Sequence, residues 1–118
     1  MIKVGTDIAL IERITKSREK FGERFLKRYL DESEYDADST DATLAGLWAA
    51  KEATAKALGC GIGADLGFHD MHIVKDERGA PHLLFDEAVT RRFGIVESSL
   101  SISHDGGFAI AVVMIVTE

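Results

Sequence analysis

The stretch GLWAAKEATAKALGCGIG, Gly46–Gly63, sets two lysines and a glutamate into an alanine-rich pattern and closes on three glycines. Alanine is the best helix former, so a helix is expected here. It should start at Thr40 or Asp41, both good N-caps, and stop where Gly59 takes the left-handed conformation. At about 100° per residue, Leu44, Leu47, Trp48, Ala55 and Leu58 form an apolar stripe with Lys51 in its middle. Ala45, Ala49, Glu52 and Lys56 lie on its flank, and the alanines are expected to leave clearance beside the carboxylate and the ammonium. Glu52 and Lys56 also suit an ordinary i, i+4 surface pair, worth about 0.2–0.5 kcal/mol. Lys51 admits two readings: its stem lies on the core with the head in water, or the head points at a bound anion.

The glycines follow the helix. Phosphate loops and dinucleotide fingerprints place glycines before a helix, where the positive end of the dipole meets the anion, so those motifs are excluded. The remaining carboxylate of interest is Asp7, near the end of a short strand expected over IKVGTDIA, to about Ala9. A strand-end carboxylate and a helix carboxylate can converge on a hard cation. Mg²⁺ commonly takes only one or two protein carboxylates and fills its octahedron with water and phosphate oxygens. Sequence spacing alone leaves open whether Asp7 and Glu52 meet.

Outward from this helix, the order is strand, helices, strand pair, helix, strand pair, an α+β pattern with a small antiparallel sheet on a long central helix. From Leu10 to Leu30, Ile11, Ile14, Phe21, Phe25, Leu26 and Tyr29 keep helical spacings with a break expected near Gly22. Strands are expected on either side of Glu77, Arg78 and Gly79, then a short helix over Glu87–Phe93 closed by Gly94. SSLSISH and FAIAVVMIV should form a hairpin across Asp105, Gly106 and Gly107. The last strand is apolar on both faces, so both need cover, one of them from a second subunit.

The chain has 118 residues, a length that suits one domain. With 46% hydrophobic and 29% charged residues it has the composition of a globular protein. No apolar run approaches the roughly 20 residues needed to cross a bilayer, and no secretory leader is evident. A single cysteine, Cys60, excludes an intramolecular disulfide and suits the cytoplasm. The net charge of −6 argues against nucleic-acid binding. Yet seven of the fourteen basic residues fall between Arg13 and Arg28. If the helical phase persists, Arg13, Lys16, Lys20, Arg24 and Lys27 share one face, either as a solvated surface or as a docking face for an acidic partner, with Arg28 beside them.

Three separate stretches carry a resemblance: GTDIALIER at Gly5–Arg13, WAAKEATAKALGCGIG at Trp48–Gly63, and SLSISH at Ser99–His104. Together they resemble the bacterial holo-acyl-carrier-protein synthases, the small 4′-phosphopantetheinyl transferases, and GAPHLL and FLKRYLDESE extend the likeness over most of the chain. The resemblance implies transfer of the phosphopantetheine arm of coenzyme A to a serine of an apo-acyl carrier protein, releasing adenosine 3′,5′-bisphosphate. It implies Mg²⁺ on Asp7 and Glu52, Lys56 against the pyrophosphate, and Glu52 or a metal-bound water as acceptor of the serine proton. Lys51, Gly59, Gly61 and His104 are implied to lie near the coenzyme. For His104 a hydrogen-bonded core histidine, on one strand face with Leu100 and Ile102, is the competing reading. His69, His72 and His82 match no motif.

The basic residues from Arg13 to Arg28 are implied to dock the acidic carrier, and the family's homotrimer, with active sites between subunits, would cover the last strand. Two departures stand out. Leu47 and Trp48 replace a usual arginine and phenylalanine, so that either Arg91, Arg92 or a neighbouring subunit substitutes for the cation or the affinity for the coenzyme is reduced, and Cys60 replaces a usual threonine or serine. A non-catalytic module docking an acidic partner, and a metal-dependent enzyme on another pyrophosphate, are the alternatives.

Overall fold

The computed structural model describes residues 1–118. In chain order it comprises β1 (Ile2–Leu10), α1 (Ile11–Phe21), α2 (Glu23–Tyr29), a 3₁₀ turn (Glu32–Glu34), α3 (Asp41–Leu58), and a second 3₁₀ turn (Phe68–Asp70). It continues with β2 (Met71–Lys75), β3 (Pro81–Phe85), α4 (Glu87–Phe93), β4 (Ile95–Asp105) and β5 (Phe108–Thr117). A three-stranded antiparallel sheet has the order β1-β5-β4, and β2 pairs with β3 in a separate hairpin. The α+β architecture expected from the sequence is the one observed. No helix is long and apolar enough to cross a membrane.

The ends of α3 are set by local chemistry. The Thr40 hydroxyl accepts from the Thr43 amide at 3.1 Å, satisfying one of the free amides of the first turn. At the other end Gly59 sits at φ 75°, where the Gly59 amide donates to the Lys56 carbonyl and the Cys60 amide to the Ala55 carbonyl. This is the Schellman closure, in which a residue without Cβ is favoured.

The alanines of α3 have a different purpose from the clearance expected of them. Ala45, Ala49 and Ala53 are fully buried, and they face not open space but the rest of the fold. The inner face of the three-stranded sheet is equally small where the helix crosses it. Gly5 is buried on β1, and Ala109 and Ala111 are fully buried on β5. A Cβ built on Gly5 would lie 1.9 Å from the Ala53 carbonyl oxygen and 2.6 Å from the Ala57 nitrogen. Helix backbone therefore rests almost directly on strand backbone. A bulkier residue at either surface would lift α3 off the sheet.

The opposite side of α3 packs on larger groups. Leu44, Leu47 and Leu58 are buried, as the stripe required. Trp48 joins Phe25, Tyr29 and Phe68 in an aromatic cluster with ring centroids 5.0–6.2 Å apart. The Tyr29 hydroxyl donates to the Leu44 carbonyl at 3.0 Å, which pins α2 to α3.

The basic row does not persist as one helix face. Gly22, at φ 60°, separates α1 from α2. β5 buries Ala109, Ala111, Val113 and Ile115, whereas Phe108, Ile110, Val112 and Met114 on its other face are exposed. Ile2, Val4 and Ile8 of β1 are exposed too, and the register Val4↔Met114 and Ile8↔Ile110 joins them to β5 in one apolar patch. The chain itself covers only one face of its last strand.

Overpacking ordinarily costs ~1–3 kcal/mol, and the contact at Gly5 is with unyielding backbone. Gly5→Ala should therefore lose stability at the top of that range or beyond in urea unfolding. Gly63→Ala, where an added Cβ meets nothing, should stay within about 0.5 kcal/mol of the parent. Equal stabilities of the two variants would contradict the close approach.

Candidate functional site

The close seating of α3 determines which side chains meet. Asp7 lies two residues beyond Gly5 on the same face of β1, and Glu52 and Lys56 each directly precede an alanine that Gly5 approaches. Lys56 does not pair with Glu52, four residues back. Its ammonium instead donates to Asp7 Oδ1 at 2.9 Å, across helix and strand. That bond and the charge of Asp7 push the Lys56 amine up, so it stays cationic at neutral pH. Burial, and next the charge of Asp7, push the Glu52 carboxyl up, with Lys56 opposing. Glu52 receives no hydrogen bond from the protein that would hold its anion.

Asp7 and Glu52 open onto one cavity of about 320 Å³. Ile14, Phe25 and Trp48 form its apolar lining and Arg13 and Ser17 its polar edge. The arrangement offers two mutually repelling carboxylates, an ammonium and a guanidinium beside an apolar slot. With a cation on the two carboxylates, a phosphate-bearing ligand with an uncharged arm would complement that arrangement.

The remaining site residues expected from the sequence are less uniform. Lys51 is not available to a coenzyme. It is fully buried, and its ammonium donates to the Tyr29 carbonyl at 2.7 Å, to Glu34 Oε1 at 2.9 Å and to the Phe68 carbonyl at 3.1 Å. All three protons are committed. Glu34 also accepts from the Asp31 and Ile73 amides. Gly59 and Gly61, at φ 75° and 66°, shape the turn that leaves Lys56, with open space where a side chain would stand. His104 is exposed, which rules out the core histidine. It is paired with Ala109, which pairs in turn with Ala9, so it stands two strands, about 10 Å, across the sheet from β1.

All six basic residues of the expected docking face are exposed, but they have separate surroundings. Arg13 borders the Asp7 cavity, while Arg24 and Arg28, with Phe21 and Phe25, line a second cavity of about 300 Å³. Lys16 and Lys27 pair with Glu12 and Glu23 within their own helices, and Lys20 lies over the Phe21 ring. Leu47 is a buried core residue. Arg91 pairs with Glu87, and Arg92 donates to the Asp65 carbonyl at 2.6 Å, bracing the loop that follows α3. Burial and the charge of Asp65 push the Cys60 thiol up, away from the reactive thiolate.

The family model described as the 4′-phosphopantetheinyl transferase superfamily matches residues 3–113. The chain is 53% identical over 112 residues to the holo-[acyl-carrier-protein] synthase of Campylobacter fetus, covering 95% of this chain and 97% of that protein. It is 54% identical over 114 residues to the synthase of a Sulfurovum species, covering 97% and 96%. The crystal structure of Helicobacter pylori holo-[acyl-carrier-protein] synthase in complex with coenzyme A superposes with a TM-score of 0.93 at 42% identity, covering 96% of this chain and 99% of that one.

Removing one partner of a buried ion pair typically costs about 3–5 kcal/mol. Lys51→Met should lose stability on that scale in urea unfolding, while the folded protein keeps its KM for coenzyme A. An unchanged unfolding midpoint with a raised KM would restore Lys51 to the coenzyme.

Proposed function

The chain belongs to the 4′-phosphopantetheinyl transferase superfamily, and we propose that Asp7, Glu52 and Lys56 carry its reaction as a holo-[acyl-carrier-protein] synthase. The reaction moves the 4′-phosphopantetheine arm of coenzyme A onto a serine hydroxyl of an apo-acyl carrier protein. A serine O–P bond forms as the P–O bond to adenosine 3′,5′-bisphosphate breaks. The observation that carries the assignment is the convergence of Asp7 with Glu52 at one cavity, from segments some fifty residues apart, while Lys56 donates to Asp7 at 2.9 Å.

The residues present fit Mg²⁺. Two carboxylates repel one another, one of them takes no protein donor, and no third His, Cys, Asp or Glu completes a protein cage. Asp7 and Glu52 would hold an ion that takes its remaining ligands from water and phosphate oxygens. When bound, it supplies neutralising charge to the pyrophosphate.

Lys56 uses one proton on Asp7 and keeps two for a pyrophosphate oxygen, and its side chain is 56% exposed, so it reaches ligand without breaking the pair. Glu52, free of protein donors, receives the serine proton. The apolar lining of Trp48, Phe25 and Ile14 suits the uncharged pantetheine arm, and positioning of this kind supplies most of the catalysis in phosphoryl transfer. Gly59, Gly61 and His104 are retained as coenzyme neighbours on the resemblance alone. Arg13, Lys16, Lys20, Arg24, Lys27 and Arg28 would meet an acidic carrier. A homotrimer joined through the exposed apolar face of β1 and β5 would cover Ile110, Val112 and Met114 and bring the sites between subunits. The lone, unpaired Cys60 suits a cytoplasmic setting.

With coenzyme A, Mg²⁺ and an apo-acyl carrier protein, the carrier should gain the mass of phosphopantetheine. Asp7→Ala and Glu52→Gln, folded by circular dichroism, should each lower kcat by at least about 100-fold, as should chelation of the divalent ion. Turnover at the parent rate in both variants would overturn the assignment. In a separate titration, Arg13→Glu with Arg24→Glu should weaken carrier binding and flatten its salt dependence. An unchanged salt dependence would remove the docking role from these residues.

A further inference from the structure

Outside the site, four ionisable side chains form a continuous chain of hydrogen bonds. Asp31, just after α2, accepts at Oδ1 from His69 Nδ1 at 2.8 Å and at Oδ2 from His72 Nδ1. The second nitrogen of His69 donates to the Lys27 carbonyl at 2.8 Å, in the last turn of α2. The second nitrogen of His72 donates to Asp86 Oδ1 at 2.8 Å, and Asp86 is the N-cap residue of α4. Carboxylate oxygens only accept, so the His72 ring, which faces a carboxylate at each nitrogen, carries a proton on both in this geometry. The His72 imidazolium thus lies between two carboxylates. The cluster is not a metal cage, because its donors point at one another and no group of three such side chains is disposed to hold an ion.

The chain joins four pieces of the fold: the end of α2, the 3₁₀ turn at Phe68–Asp70, β2 and the start of α4. Other charged groups face it. Lys51 of α3 favours the ionised form of Asp31, and Glu34 of the first 3₁₀ turn accepts from the Asp31 and Ile73 amides. The Asp70 carbonyl accepts from the Asp86 amide at 3.0 Å. A neutral histidine has one donor, so on losing its proton it turns a lone pair toward an oxygen it had been bonded to. Deprotonation of His72 therefore breaks one link and sets up a repulsion in its place.

We propose that His69, Asp31, His72 and Asp86 form a tie that fastens α2 to β2 and α4 and depends on the proton of His72, closed with that ring protonated and released as it becomes neutral. On the reading of α1 and α2 as the carrier's docking face, release lowers carrier affinity. Burial favours the neutral ring of His72, but its bonds to Asp86 and Asp31 outweigh this and raise it above its ordinary 6.5. Burial likewise opposes ionisation of Asp31, and the bonds from His69 and His72 outweigh it and lower it below 3.8. The stabilisation from His72 is thus full below its unfolded value and is lost as pH rises through its raised folded value. That from Asp31 is present above its unfolded value and is lost as pH falls through its lowered one. The tie is complete in the interval between.

Amide hydrogen exchange of the full chain, corrected for intrinsic rates, tests the tie between about pH 6 and about pH 8.5. Protection at Leu26 to Leu30 should fall several-fold with rising pH in the parent. Asp86→Asn, which keeps an N-cap for α4, should move that loss to lower pH, and His72→Gln should abolish the pH dependence. Protection that is independent of pH in the parent, or follows the same profile in Asp86→Asn, would overturn the tie. Carrier affinity measured over the same range separates the two readings. Opening of α2 with unchanged affinity would uphold the tie and overturn the docking face.

Discussion

Everything chemical in this protein depends on how closely helix α3 lies on strand β1. No side chain fits between Gly5 and the Ala53 carbonyl, where even a methyl group would come within 1.9 Å. Small residues line both surfaces, Ala45, Ala49 and Ala53 on the helix and Ala109 and Ala111 on β5, and all are fully buried. With the helix at that depth, Asp7 on the strand reaches Lys56 on the helix at 2.9 Å and shares a cavity with Glu52. A larger contact residue would separate those groups, because Glu52 and Lys56 sit one residue, and Asp7 two, from the contact itself.

The same helix is held from its other side by a buried charge. Lys51 and Glu34 are both withdrawn from solvent and fully hydrogen-bonded, to backbone as well as to each other. Such a pair contributes little net stability over an apolar replacement, but it is unforgiving of misplacement, since an unpaired charge there is costly. It fixes the rotation of α3 between the sheet and the aromatic cluster of Phe25, Tyr29, Trp48 and Phe68. Two neighbouring residues, Lys51 and Glu52, consequently serve different ends. One locks the helix, and the next faces the cavity.

Much of this was legible in the sequence because it is local. The Thr40 cap, the Gly59 stop, the hairpin at Gly106 and Gly107, and the short helix closed by Gly94 all follow from chemistry within a few residues, and all are observed. Asp7, Glu52 and Lys56 were visible as candidates through the motifs that carry the family resemblance, although no spacing rule brings residue 7 to residue 52. What could not be read was non-local. Lys51 lies in the apolar stripe, but its partner Glu34 is seventeen residues away, in a 3₁₀ turn before the helix. The alanines looked like room for a ligand because their true neighbours, Gly5, Ala109 and Ala111, lie at opposite ends of the chain. His69 and His72 matched no motif, and their meaning comes from Asp31 and Asp86 meeting them from two other elements.

The central claim is that two carboxylates from distant segments form one cation site against the pyrophosphate of coenzyme A. A crystal structure of the protein with coenzyme A and Mn²⁺, with data collected at the manganese edge, tests it most directly. An anomalous peak shared by the Asp7 and Glu52 carboxylates, with the pyrophosphate beside Lys56, is the predicted result. A peak away from both carboxylates, or a pyrophosphate remote from Lys56, would contradict it.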